Sequence, residues 1–155
     1  MRARVVLPVL YLLMLALWVV SFFLPALYLS GPVNPGWKAA AISAVLLGTL
    51  ARNELGIHLY YGSFFLANLL VLASPWAYGR ARRGRGGVFL GLMVFWDLLT
   101  FSYAVYDRWK NTAFTSVRLG YWMWEASLVG VTVVLLAARL SSGENRDRSK
   151  RAAAL

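Results

Sequence analysis

Residues 88–106, VFLGLMVFWDLLTFSYAVY, form an apolar run with a single carboxylate, Asp97, near its middle. A helix of about 20 such residues, rising roughly 1.5 Å per residue, is long enough to cross a hydrocarbon layer about 30 Å thick. A charge at that depth is costly, so Asp97 is expected to face protein or trapped water instead of lipid. The remaining spans are expected to be arranged around this one.

The rest of the chain repeats the pattern. Long apolar blocks alternate with short charged clusters across 155 residues, 60% of them hydrophobic, with a mean hydropathy of +0.61. An ordinary soluble domain is roughly half apolar. The expectation is one all-α polytopic membrane domain at 1–140, with too little polar sequence for a second domain. The net charge of +10 would point to nucleic acid in a soluble protein. Here the basic residues sit at the edges of apolar runs, where they set orientation and meet anionic headgroups, so membrane lipid and not nucleic acid is the expected partner. The chain has no cysteine and one histidine. That excludes disulfides, thiolate sites and a cysteine nucleophile, and leaves no multi-histidine metal site within one chain.

Four spans are expected, at 5–28, 58–78, 88–106 and 120–140. The first follows Arg2 and Arg4, as a signal peptide would. Its apolar run is longer than the roughly 7–15 residues of a signal core, so it is expected to be retained. Pro8 is tolerable in the first turn, whereas Pro25 should kink or end the helix. Pro32 and Pro35, with Gly31 and Gly36, mark a stiff turn. Ser74-Pro75 is expected to lie at the inner terminus of the second span. Residues 37–50 are too short to span easily and are expected to form an interfacial or re-entrant helix. The tail at 141–155 is polar, charged and expected to be disordered.

Orientation follows from the basic residues. With four spans, Arg2, Arg4, Arg80, Arg82, Arg83, Arg85, Arg139, Arg146, Arg148, Lys150 and Arg151 lie inside. Lys38, Arg52, Arg108, Lys110 and Arg118 lie outside, a ratio of eleven to five. Letting 37–50 cross as well gives six inside against ten outside with an inner N-terminus. With an outer N-terminus it gives ten against six but strands Arg2 and Arg4 outside. Four spans with both termini cytoplasmic satisfy the rule.

Three polar groups fall within the spans. At roughly 1.5 Å per residue, Asn68, Asp97 and Glu125 lie about 15, 13 and 8 Å below the outer ends of their helices, in neighbouring layers of one bundle. Two roles compete. Asp97 can hold helices in register through Asn68 or through Thr100 one turn away, a contact of modest strength. Alternatively, the three can form a site for a proton, an ion or a small polar ligand, or a pairing surface for another subunit. Neither a metal box nor a catalytic constellation is present, so no cofactor is expected. Small residues at Gly87 and Gly91, and at Ala126 and Gly130, have the spacing of close helix contacts.

Aromatic residues gather towards the expected outer face: Trp37, Tyr60, Tyr61, Tyr103, Tyr106, Trp109, Tyr121, Trp122 and Trp124. A headgroup belt is the ordinary reading. The sharper one is a ring-lined pocket for a lipid or quinone, with His58, Tyr121 and Trp124 at the outer face. His58 can instead pair with Glu54 one turn before it.

Phe23-Leu24-Pro25-Ala26, Gly36-Trp37, Leu66-Ala67-Asn68-Leu69-Leu70 and Gly120-Tyr121-Trp122-Met123-Trp124-Glu125-Ala126-Ser127 occur in that order. The series resembles a group of small, uncharacterised bacterial four-span inner-membrane proteins, with a G-Y-x-x-W-x-A-S opening to the last helix. The resemblance implies a bacterial inner-membrane location and no activity. Glu125 stands where that pattern is usually apolar, and Asp97 matches none of its motifs.

The sequence therefore favours a non-enzymatic membrane protein, an accessory or interaction subunit with a protein partner or a second copy. The rival is a small proton- or ion-coupled transporter or channel subunit using the intramembrane carboxylates. A further alternative is an immunity-type protein against a pore-forming toxin.

Overall fold

The structure, a computed structural model, describes residues 2–28, 33–48, 55–110 and 117–153, with side chains over 5–27, 33–45, 62–106, 108–109 and 117–143. The elements along the chain are α1 (Arg2–Ser21), β1 (Pro25–Tyr28), β2 (Val33–Pro35), α2 (Gly36–Gly48), α3 (Leu55–Ala81), α4 (Gly87–Lys110) and α5 (Leu119–Ala153). The molecule is overwhelmingly helical, as expected. Two stretches, Gly87–Tyr106 and Leu119–Gly143, are long and apolar enough to cross a membrane, and Val5–Ser21 is a shorter apolar helix.

Helices α1, α3, α4 and α5 alternate in direction. Tyr11 meets Ser74 and Trp18 meets Asn68, so α1 and α3 run antiparallel. Arg139 lies against Gly87 and Tyr121 reaches Thr100, so α4 and α5 do too. The organising helix is α5, not the expected Asp97 helix: α5 packs on α1, α3, α4 and β1. Its buried residues Tyr121, Trp124, Leu128, Val131, Leu135 and Ala138 recur every three or four positions, giving a continuous apolar seam. Helix α4 buries a narrower stripe of Met93, Asp97, Thr100 and Ala104.

Several boundaries differ from the sequence expectation. Helix α1 stops at Ser21 instead of reaching residue 28, because Pro25 opens a strand. β1 and β2 form an antiparallel hairpin, and Leu27 bridges Val117. The hairpin clasps three helix ends by backbone bonds: Gly36 N–H to Leu24 O, Trp37 N–H to Phe22 O and Arg118 N–H to Ala26 O, at 2.9–3.0 Å. Gly36 and Gly120 make this approach possible. A Cβ on Gly36 would lie 2.5 Å from the Ser21 carbonyl oxygen, and one on Gly120 would lie 2.8 Å from those of Leu24 and Pro25.

Ser74-Pro75 does not end its helix, since α3 runs through it to Ala81. A proline N cannot donate to the carbonyl four residues back. That carbonyl, on Val71, instead accepts the Ser74 hydroxyl at 2.6 Å. Nor does the helical backbone stop at Ser141, where disorder was expected, because α5 continues to Ala153.

The short helix at 37–50 is observed as α2, which packs along α3 and against the hairpin. Of the small-residue pairs, only one member of each makes a contact. A Cβ on Gly130 would overlap the Met14 thioether and one on Gly87 would press on the Arg139 guanidinium, while Gly91 faces open space and Ala126 is exposed.

Candidate functional site

Two polar centres flank α5, where the sequence suggested one. In the first, Asn68 on α3 ties three helices together. Its side-chain oxygen accepts the indole N–H of Trp18 at 2.9 Å and of Trp124 at 2.8 Å, while its amide donates to Phe64 O at 2.9 Å. With both lone pairs taken, Asn68 is a structural hub and does not bond Asp97.

The second centre lies between α4 and α5. Asp97 and Thr100, spaced as the inward stripe of α4, meet Glu125 and Thr132, seven residues apart on α5. Thr132 lies on the Asp97 side of this layer, and Thr100 and Asp97 lie on the Glu125 side. No basic side chain among the described residues acts on either carboxyl. Glu125 is 3% exposed, Thr132 7% and Asp97 8%.

The hydrogen bonds here do not close. Thr100 donates its proton to Trp96 O at 2.8 Å, so it has none for Glu125. Asp97 Oδ1, both Glu125 carboxyl oxygens and Thr132 Oγ1 are buried without a hydrogen-bond partner. Buried polar atoms are nearly always satisfied, and unpaired ones are costly. Four such atoms fall on three side chains, Asp97, Glu125 and Thr132. Thr132 was missed in the sequence, because a threonine in an apolar run carries no signal of its own. Its place seven residues after Glu125 was the available clue.

The aromatic residues divide. Trp37, Tyr106, Trp109 and Trp122 are exposed, as a belt requires. Tyr121 and Trp124 instead turn inward: Tyr121 donates to Thr100 O at 2.5 Å, and Trp124 holds Asn68. They line a cavity of about 30 Å³ with Ser21, Ser43, Phe64 and Asn68. That volume suits about one water. His58 lies in the first turn of α3, its side chain outside the described residues, as is Glu54. Among the described residues no cluster of three or more His, Cys, Asp or Glu forms a metal site.

No family model matches the chain, and neither a curated protein nor a solved structure matches it.

Proposed function

We propose that the chain is a four-span integral membrane protein of the bacterial inner membrane, with α1, α3, α4 and α5 crossing and both termini cytoplasmic. The observation that carries this reading is an inverted distribution of polarity. Asp97, Thr100, Glu125, Ser127 and Thr132 are buried, while Val88, Leu98, Phe101, Val133 and Leu140 stand outward, Val88 being 83% exposed. Water would favour the reverse, whereas hydrocarbon favours this arrangement. The eleven-to-five division of basic residues supports the orientation. The resemblance to small bacterial four-span proteins belongs to the same reading.

Within the membrane the chain acts as a non-enzymatic accessory or interaction subunit. The broad apolar outer face of α4, with Phe95, Leu98 and Phe101, is available to lipid, a partner helix or a second copy. One observation favours a second reading, in which the protein handles an ion: the unpaired oxygens between α4 and α5.

The absence of cysteine makes the topology directly testable with single introduced thiols. Arg83→Cys at the α3–α4 turn should resist a membrane-impermeant maleimide in intact cells, and Trp109→Cys at the far end of α4 should react. Recovery of the chain in the aqueous fraction after alkaline extraction, or the opposite labelling pattern, overturns the proposal. A stable co-purifying membrane partner is the expected mark of the accessory role.

A further inference from the structure

We propose that the oxygens buried between α4 and α5 bind a dehydrated monovalent cation of sodium's class, held by Asp97, Glu125 and Thr132. This rests on the membrane reading above and names a ligand for its ion-handling variant.

Three features point there. The first is the excess of acceptors over protons. Thr100 has committed its only proton to the Trp96 carbonyl, so it offers Glu125 only an oxygen. Glu125 therefore gains no proton from Thr100, and both of its oxygens are unpaired. The second is Thr132, an uncharged side chain 7% exposed whose oxygen is also unpaired. An acidic pair alone can be silent, but a third, non-acidic ligand atom facing it describes a cage. The third is the contrast with Asn68, whose acceptors are both filled by indole donors at the other centre. This chain satisfies buried oxygens where no ligand is needed.

The chemistry of the donors sets the ligand class. They are hard oxygens with no nitrogen or sulfur, which excludes the softer transition metals. Calcium takes about six to eight oxygens, and magnesium keeps several waters because it dehydrates reluctantly. Counting Thr100 and both oxygens of each carboxyl, six side-chain oxygens are on hand, the bottom of calcium's range, in a core sheathed by apolar side chains. A monovalent ion sheds its water most readily and needs only part of that set. One cation with one proton then neutralises the two carboxyls, so sodium and protons compete for the second charge.

Trp96 and Trp124 are the sequence neighbours of Asp97 and Glu125, so tryptophan emission reports changes in the two helices that carry the site. The test is to titrate the purified full chain in lipid nanodiscs with sodium chloride against choline chloride at constant ionic strength, following tryptophan emission and thermal unfolding. A saturable response to sodium, absent with choline and weakened at lower pH, is the expected result. Thr132→Val keeps the side-chain shape and should weaken apparent affinity about tenfold or more, and Glu125→Gln should abolish the response. Retained helicity by circular dichroism shows that either variant has folded. No ion-specific response in the wild type overturns the proposal, as does a response that survives both substitutions. A change driven by pH alone in choline, lost in Glu125→Gln, would assign the site to protons only and also overturn it. Failure of the membrane reading is seen separately, at extraction, before any titration.

Discussion

The Ser74 hydroxyl donates to the Val71 carbonyl at 2.6 Å, filling the place of the N–H that Pro75 lacks. Because that proton is committed, Tyr11 on α1 is the donor in its own 2.6 Å bond to Ser74. A proline that should have ended α3 is thus bridged by a relay from a neighbouring helix. Ser74→Ala should destabilise the fold by about 1–2 kcal/mol, leaving a carbonyl and a phenol unpaired. Adding Pro75→Ala restores a backbone donor to Val71 and should recover part of the loss. Unfolding in a graded denaturing detergent, run as a double-mutant cycle, measures both.

Asn68→Leu removes the acceptor for two indoles and the bond to Phe64. The expected cost is about 2 kcal/mol or more, because two buried N–H groups are left without partners. Trp18 and Trp124 should report the change as a shift in emission maximum. An unshifted spectrum with unchanged stability would contradict the hub.

Glycine substitutions should separate close contact from mere motif. Gly120→Val drives a side chain into the Leu24 and Pro25 carbonyls and should abolish stable folding. Gly91→Leu, at a position with nothing within 4 Å, should leave stability unchanged. Expression and size-exclusion profiles of the two proteins make the comparison.

Leu98 neighbours Asp97 in sequence but is 66% exposed on the outer face of α4. In a bilayer, Leu98→Lys should reduce insertion of α4 by about 3 kcal/mol. In water the same exposed change would be nearly neutral. Measuring the inserted fraction of the variant therefore probes the solvent around this helix.

The long helices were legible because apolar run length is a strong signal, and Asp97 and Glu125 were legible as buried because lipid would not tolerate them. The hairpin was not. Phe23 to Tyr28 continues the hydrophobicity of α1, and only pairing with β2 and Val117 makes part of it a strand. Tyr121 and Trp124 look like interfacial rings until Thr100 and Asn68 supply partners for their polar atoms deep in the bundle. Pro75 was misjudged as a terminus because its compensation comes from Ser74 and Tyr11, the latter more than sixty residues away. The carboxyl pair could be anticipated from composition, but its separation from Asn68 depended on which side of α5 each one faces.

Backbone bonds from Leu24, Phe22 and Ala26 rivet one end of α1, the start of α2 and the start of α5 to a common plate. Rods fixed together at one end can fan apart only at the other. Relative motion of α1, α2 and α5 therefore pivots at the hairpin, and the Ser142 hydroxyl, which donates to Arg82 O at 2.8 Å, is the latch that holds α5 to the end of α3 at the arginine-rich mouth.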